Sequence, residues 1–554
     1  MHPLLPTKKV KPQCNLKLFS FYFFIFLFFS IQNFAQRNAI KDTVAPGKTI
    51  IIISAERYNL QDRDSSGKFI SLAGKAKVQQ DKTFFDADSI VLNQKENYLE
   101  AFGNIHINDA DSVHTYADYL KYYGKEKLAQ LRNKVRLTDG KGTLTTDNLD
   151  YEVGLKMGTY KNGGKLVNGK TILTSKEGFY YGDTKDVYFY KNVEMISPDT
   201  KIFTDTLLYN ISSDITTFTA MSTIFNEKRR VVTRDGYYDL KKKKAFFGKR
   251  TFIEDSTYTL RADDMYFDDS TGKGSFTGNA VYRSKDFKNG FDLLANNIKT
   301  NSKKNTLLAT EKPILFIKQE NDTIYLTADT LYSSKYSTLQ KNKNVRTLRD
   351  TIKGVYEISY DKDSSNDRYF EAYHNVKIFS DSLQATADSL FYSGADSVFR
   401  LFKNPIVWAQ ENQITGDTIY LFLKNKKPEK LMVQENAMAI SKVNSNFFNQ
   451  IKGNNILGLF IDGKIDLLKT KGSPARNIYY AEDEEKKLVG VNQSVADVIE
   501  VHFKNDKPEK VIFINNLTGT MFPINQVNHE TLKVEGFKWL QNVRPKTKFD
   551  ILGN

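Results

Sequence analysis

The sequence predicts an all-β chain, built as an elongated, solenoid-like array of stacked strand repeats. Three observations carry this reading. A phrase that opens on Ala-Asp or Thr-Asp and closes on an Asn-Val-like strand recurs along the chain, mostly at roughly 28–33 residues, the range of stacked repeats. Within each copy apolar and polar residues alternate, as in Asp118-Tyr119-Leu120-Lys121-Tyr122-Tyr123 and Lys134-Val135-Arg136-Leu137, which gathers the apolar set on one face of a pleated strand. The 554 residues also include 39 Phe and 30 Tyr but only 12 Pro, a bias towards half-buried sheet surface. A single repeat cannot bury its apolar face alone, so neighbours must stack into a continuous core.

The elements follow in chain order. Residues 1–35 read as a cleaved secretory signal peptide: Lys8, Lys9, Lys11 and Lys17 precede an apolar run from Leu18 to Ile31, and Ala35 supplies the small residue at the cut. The apolar run is short of the roughly 20 residues a spanning helix needs. The only cysteine, Cys14, falls in this leader, so the exported chain has no thiolate for a disulfide, nucleophile or metal.

Residues 36–332 form the main repeat array. Its clearest copies run from Ala87-Asp88-Ser89-Ile90 to Gly103-Asn104-Ile105-His106-Ile107, and from Ala117-Asp118-Tyr119-Leu120 to Asn133-Lys134-Val135-Arg136-Leu137. Later copies reach Asn192-Val193-Glu194-Met195 and Gly278-Asn279-Ala280-Val281. Residues 333–367 are polar and read as an insertion, because the copy opening at Ala328-Asp329 does not reach its strand until His374-Asn375-Val376-Lys377-Ile378. Residues 368–440 continue the array. Residues 441–554 read as a divergent β cap, with a looser internal echo between Lys427-Pro428-Glu429-Lys430 and Lys507-Pro508-Glu509-Lys510.

The Ala-Asp-x-Leu openings and Gly-Asn-Ile/Val strands, above all Ala87 to Ile107 followed by Ala117 to Leu137, resemble the OstA-like (organic solvent tolerance) family of lipopolysaccharide-transport proteins, which includes LptA-type carriers and the N-terminal domain of LptD-type assemblers. The resemblance covers about residues 50–440. It implies a twisted β-jelly-roll stack folded into a V, with an apolar interior that takes acyl chains. It further implies open sheet edges that pair with other jelly-roll transport components, and delivery to the outer-membrane assembly machinery. The implied location is the periplasm, with docking at the outer membrane. Residues 441–554 are too few for the large barrel of an assembler.

An acyl chain needs an apolar trough, and each methylene it buries contributes roughly 0.8 kcal/mol. The inward positions expected to line such a trough, for lipopolysaccharide or its lipid A part, are Ile105, Ile107, Val135, Leu137, Val193, Met195, Val281, Val376 and Ile378. The formal net charge of +15, of which the leader lysines supply four, suits anionic partners such as phosphate-bearing lipids or acidic polysaccharides; export argues against nucleic acid. Two basic runs, Lys228-Arg229-Arg230 and Lys241 to Lys244, are candidates for headgroup contact or for solvated turns.

The recurrent aspartates, among them Asp88, Asp118, Asp263, Asp329, Asp388 and Asp417, stand singly and are expected to accept backbone hydrogen bonds in turns rather than to pair for catalysis or calcium. The six histidines are scattered without a metal-binding spacing, and no nucleophile elbow, phosphate loop or dinucleotide fingerprint occurs. The sequence therefore predicts no enzyme, no cofactor and no metal. Two other readings fit the pattern: a non-catalytic scaffold or adhesin with a closed core, and a polysaccharide-binding parallel β-helix.

Overall fold

The computed structural model describes residues 49–552, except 64–66, 227–228, 249, 287–289, 319–322, 343–366, 395, 425–426, 486 and 505–506. The expected leader, residues 1–35, lies outside the described residues.

Forty strands run through the described chain. The first are β1 (Ile51–Ser54), β2 (Arg57–Arg63), β3 (Gly67–Gln80), β4 (Thr83–Asn93), β5 (Tyr98–Asp109), β6 (Val113–Tyr123), β7 (Leu128–Thr138) and β8 (Gly142–Glu152). From β3 to β8 each strand pairs antiparallel with the next, as an up-and-down meander. The pairing is interrupted near the middle of each strand. In β4–β5 the register breaks between Asp86 and Ser89, opposite Gly103-Asn104. Gly103 (φ 70°) and Asn104 (φ 44°) are both left-handed, a conformation that Gly and Asn tolerate best. Two such residues in succession bend the strand as a bulge does. The bend recurs at Asn133-Lys134, Lys191-Asn192, Gly278-Asn279, His374-Asn375, Glu435-Asn436 and Asn515-Asn516.

Every bent strand therefore belongs to two walls. Ser89–Asn93, Tyr98–Phe102 and Tyr119–Tyr123 build the first wall; Thr83–Asp86, Ile105–Asp109 and Val113–Ala117 build the second. The walls meet along the line of bends, and their inner faces pack on each other. This is the stacked β-jelly-roll expected from the sequence.

The Ala-Asp phrase lies elsewhere than the sequence suggested. Asp88 is inside β4, at the bend, and not in a turn before a strand. Its partner is a side chain: Asn104 Nδ2 donates to Asp88 Oδ2 at 2.9 Å. The reason is geometric, since the bend displaces two residues of β5 and turns the Asn side chain across to the neighbouring strand.

The strand Thr330–Lys335 and the helix Tyr336–Asn342 lead into the polar segment; of it, residues 343–366 lie outside the described residues, and the array resumes with the strand Arg368–Phe379. At the C-terminal end the chain does something the repeat pattern did not announce. After the strand Thr518–Pro523, residues 524–552 run back across the outer face of the second wall. Ala437 packs inside the main core, whereas its alternating neighbours Met438 and Ile440 join Ile478, Tyr480, Val491, Leu532 and Val534 in a separate outer cluster. Three glutamines hold this strap. Gln413 donates to the Lys538 carbonyl at 2.8 Å and accepts from the Leu540 N–H at 2.7 Å. Gln450 donates to the Leu532 carbonyl at 3.3 Å and accepts from the Val534 N–H at 2.9 Å. Gln384 accepts from Arg544 Nη2 at 2.6 Å. Trp408, between Gln384 and Gln413 in the sheet, is fully buried under the strap.

Candidate functional site

The site is the space between the two walls. A row of side chains crosses the inner face of the first wall near the mouth of the V. Tyr122, Tyr151, Tyr180, Tyr209 and Tyr238 recur in it at one constant interval. Smaller residues (Ala129, Gly158, Val187, Thr216 and Ala245) alternate with them. Large beside small allows the rings to lie across the gap without overpacking.

The tyrosine hydroxyls reach the mouth of the second wall. Tyr151 Oη donates to Asp109 Oδ2 at 2.8 Å, and Tyr122 donates to Gln80 Oε1. Asn168 Nδ2 donates to Tyr209 Oη at 2.7 Å, and that hydroxyl donates on to Asp214 Oδ1 at 2.7 Å. Tyr180 is buried beside Asp139. Burial, foremost, and the neighbouring acids hold the hydroxyls of Tyr122, Tyr151, Tyr180 and Tyr209 well above the ordinary tyrosine value. These crossbars close the trough over this stretch.

The next position in the row is Phe267, followed across the sheet by Gly274 and Thr300. A phenylalanine has no hydroxyl to span the gap, and the two following residues are small. Here the walls part around a cavity of about 390 Å³, lined by Tyr258, Leu260, Phe267, Phe276, Tyr282, Phe291, Ile298 and Leu307. The rings are in mutual contact: Tyr258–Tyr282 at 5.1 Å, Tyr282–Phe291 at 5.2 Å and Phe267–Phe276 at 5.2 Å between centroids. Tyr258, Phe267, Tyr282, Phe291 and Leu307 are only partly buried. Burial pushes the Tyr282 hydroxyl up to about 12.

Three cations stand at this cavity: Arg229, Lys273 and Arg368. Arg229 lies over the Phe267 ring at 5.6 Å and pairs with Asp269 at 3.1 Å. Arg368 donates to Ser333 Oγ at 3.1 Å. The basic runs seen in the sequence thus divide. Arg229 reaches the cavity. Arg230 pairs with Glu254, and Lys242, Lys243 and Lys244 pair with Asp239, Asp199 and Asp268. Lys228 lies outside the described residues.

The expected trough residues fall into three groups. Ile105, Ile107, Val135, Leu137, Val193 and Met195 face inwards but are at most 2% exposed, in the closed stretch. Val376 and Ile378 also face inwards; Ile378 borders a smaller apolar cavity of about 50 Å³ with Ile324, Leu383, Phe399 and Leu421. Val281 is a correction. The bend at Gly278-Asn279 directs the first and third residues after Asn inwards, so Ala280 is buried and Tyr282 lines the cavity, while Val281 is half-buried on the other face. The sequence reading missed Tyr258, Phe267, Phe276 and Phe291; the signal available was the break in the tyrosine interval at Phe267.

The geometry defines a class: a bent-strand β stack whose apolar interior is bolted shut over one stretch and accessible over another. Residues 48–205 and 191–263 match the model of the OstA-like protein family. Most of the cavity lining lies beyond the matched residues. Among solved structures, the chain is similar to LptH of Pseudomonas aeruginosa, described as the LptA-homologous periplasmic component of the lipopolysaccharide transport device. That match has 18% identity, covers 26% of this chain and 85% of that chain, and has a TM-score of 0.14. No curated protein matches the chain.

Proposed function

We propose that this protein is an exported carrier in lipopolysaccharide transport, and that it takes the acyl chains of lipid A into the cavity between Tyr258 and Leu307. The observation that carries the reading is the end of the tyrosine crossbars at Phe267, where an aromatic, partly accessible interior of about 390 Å³ replaces a closed core. Such a space shields acyl methylenes, each worth roughly 0.8 kcal/mol. Arg229, Lys273 and Arg368 stand where headgroup phosphates would lie, and an Arg fork suits phosphate oxygens. The match of residues 48–205 and 191–263 to the OstA-like family model supports the same class of cargo.

The working site on this reading is the periplasm, docked at the outer membrane, with the assembly machinery and other jelly-roll components as partners. Edge strands are available for such pairing. Among the described residues β2 pairs only with β3, and Lys507–Ile514 only with Leu488–Lys504. The closed core from Ile70 to Phe247 favours a second reading, a scaffold that binds no lipid.

Native mass spectrometry of the mature protein with added lipopolysaccharide separates the two. Carriage predicts stoichiometric uptake that falls at least tenfold in Leu307→Trp, which fills the cavity with an apolar ring and leaves the crossbars intact. A folded wild type that takes up no lipid, or a Leu307→Trp variant that takes up as much, overturns the proposal and leaves the scaffold.

A further inference from the structure

Two of the chain's six histidines touch, and neither takes part in the interior just described. His106 lies in β5 and His114 in β6, diagonal to each other across one hairpin: His106 is paired with Tyr116, and His114 with Asn108. Both are about 29% exposed, on the outer face of the second wall, since their neighbours Ile105 and Ile107 fill the core. His106 Nε2 and His114 Nδ1 stand 3.0 Å apart, and the rings are within 17° of parallel.

The remaining ring nitrogens each face a carboxylate. Asp86 Oδ2 is 3.7 Å from His106 Nδ1, and Asp111 Oδ1 is 3.9 Å from His114 Nε2. Tyr116 stacks on His106 at 4.6 Å, and the Arg136 guanidinium lies 4.0 Å over Tyr116, so the ring of His106 is supported from the side.

We propose that His106 Nε2 and His114 Nδ1 form a two-imidazole site for a divalent transition cation of the copper, nickel and zinc group. With metal–nitrogen bonds of about 2.0–2.1 Å, two ligands at a right angle stand about 2.9 Å apart, and two at a tetrahedral angle about 3.3 Å. The observed 3.0 Å lies within that span. An imidazole that ligates a metal through one nitrogen is usually oriented by a carboxylate or carbonyl at the other; Asp86 and Asp111 stand on that side here, at ion-pair distance and beyond a direct hydrogen bond. Without an ion the two rings hydrogen-bond to each other; to take one, the donating ring shifts its proton to its other nitrogen, which faces a carboxylate, so that both facing nitrogens present lone pairs. Among the described residues no third His, Cys, Asp or Glu converges, so water completes the coordination sphere. Copper binds such a nitrogen pair most strongly in the divalent series.

The test is electron paramagnetic resonance and calorimetry of the untagged, full mature chain titrated with Cu²⁺. The site predicts one saturable ion per chain with hyperfine coupling to two imidazole nitrogens. His106→Gln and His114→Gln should each weaken binding at least tenfold and leave one coupled nitrogen, whereas His502→Gln, on a distant strand, should change neither. Thermal melting without metal reports whether each variant is folded, and the wild-type spectrum decides the matter by itself if one is not. Absence of saturable binding, coupling to fewer than two nitrogens, or undiminished binding in the two folded variants overturns the proposal.

Discussion

Asn104 and Asp88 clasp each other across the bend of the sheet, side chain to side chain, at 2.9 Å. The same clasp is rebuilt at Asn279–Asp263, Asn375–Asp329, Asn436–Asp417 and Asn516–Asp497, each at 2.9–3.0 Å. In the last four it is backed by a main-chain bond, as from the Asp263 N–H to the Gly278 carbonyl at 2.9 Å. One residue of each pair takes the left-handed turn that bends the strand, and the other fastens the bend to the strand beside it.

Each half of the clasp should therefore fail differently. Asp88→Ala removes an exposed hydrogen bond and should cost about 1 kcal/mol locally. Asn104→Val places a β-branched residue at a φ of 44° and should cost about 2–3 kcal/mol, the lost bond plus backbone strain. Hydrogen exchange of the β4 and β5 amides reads both. Equal protection in the two variants would mean that the clasp, and not the left-handed pair, sets the bend.

The crossbars predict how the fold responds to alkali. Tyr122, Tyr151, Tyr180 and Tyr209 are held above the ordinary value of 10 chiefly by burial, so the folded state keeps protons that an unfolded chain would release. Their contribution to stability is full below pH 10 and is lost as pH rises from 10 through the raised folded values. Tyrosinate absorbance should show these four hydroxyls ionising together with loss of far-ultraviolet dichroism, after the exposed tyrosines. Their ionisation at the ordinary value with the fold intact would contradict the crossbar account.

Much of this architecture is written in the residues. The bends could be found because two successive left-handed residues admit few side chains, and Asn104, Asn192, Asn279, Asn375 and Asn436 mark them. The place of Asp88 was misjudged because alternation with period two looks the same on either side of a bend. Val281 was misplaced for a related reason: a pattern of Gly-Asn-Ala-Val does not say which apolar residue is inward until the bend fixes the register. The strap over Trp408 left no local trace, because Gln384, Gln413 and Gln450 meet partners more than 80 residues away in sequence. Open or closed interior was also illegible residue by residue, since it depends on hydroxyls that cross between walls.

Val135 illustrates the difference between an inward position and an accessible one. It is 1% exposed and faces Thr146 across the strand pair in the closed stretch. Val135→Asp buries an unpaired carboxylate and should destabilise this part of the stack by more than about 3 kcal/mol. Tyr282→Asp, at the partly accessible cavity, loses the ring contacts with Tyr258 and Phe291 but leaves its carboxylate within reach of water, so it should lower the melting transition clearly less than Val135→Asp does. A thermal melt of the two variants side by side checks this; equal losses would mean that the interior is as tightly closed at Tyr282 as at Val135.

The strap offers the sharpest dissection of stability from repeat structure. Gln413 is fully buried and makes both of its hydrogen bonds with the strap backbone, at Lys538 and Leu540. Gln413→Ala removes both of these hydrogen bonds, to the strap groups at Lys538 and Leu540 that are only partly buried, a cost of about 1 kcal/mol for each. That energy is confined to the contact between the strap and the second wall, so its effect should be local release and not loss of the array. Limited proteolysis should then cut between residues 530 and 545 at least tenfold faster than in the wild type, while β3 to β8 keep their amide protection. Release exposes Trp408, Met438 and Ile440 together, an apolar patch that soluble proteins rarely leave open. The same variant should accordingly bind a hydrophobic dye and self-associate with rising concentration. Unchanged proteolysis would mean that the apolar contacts of Leu532, Val534 and Trp539 hold the strap without the glutamine.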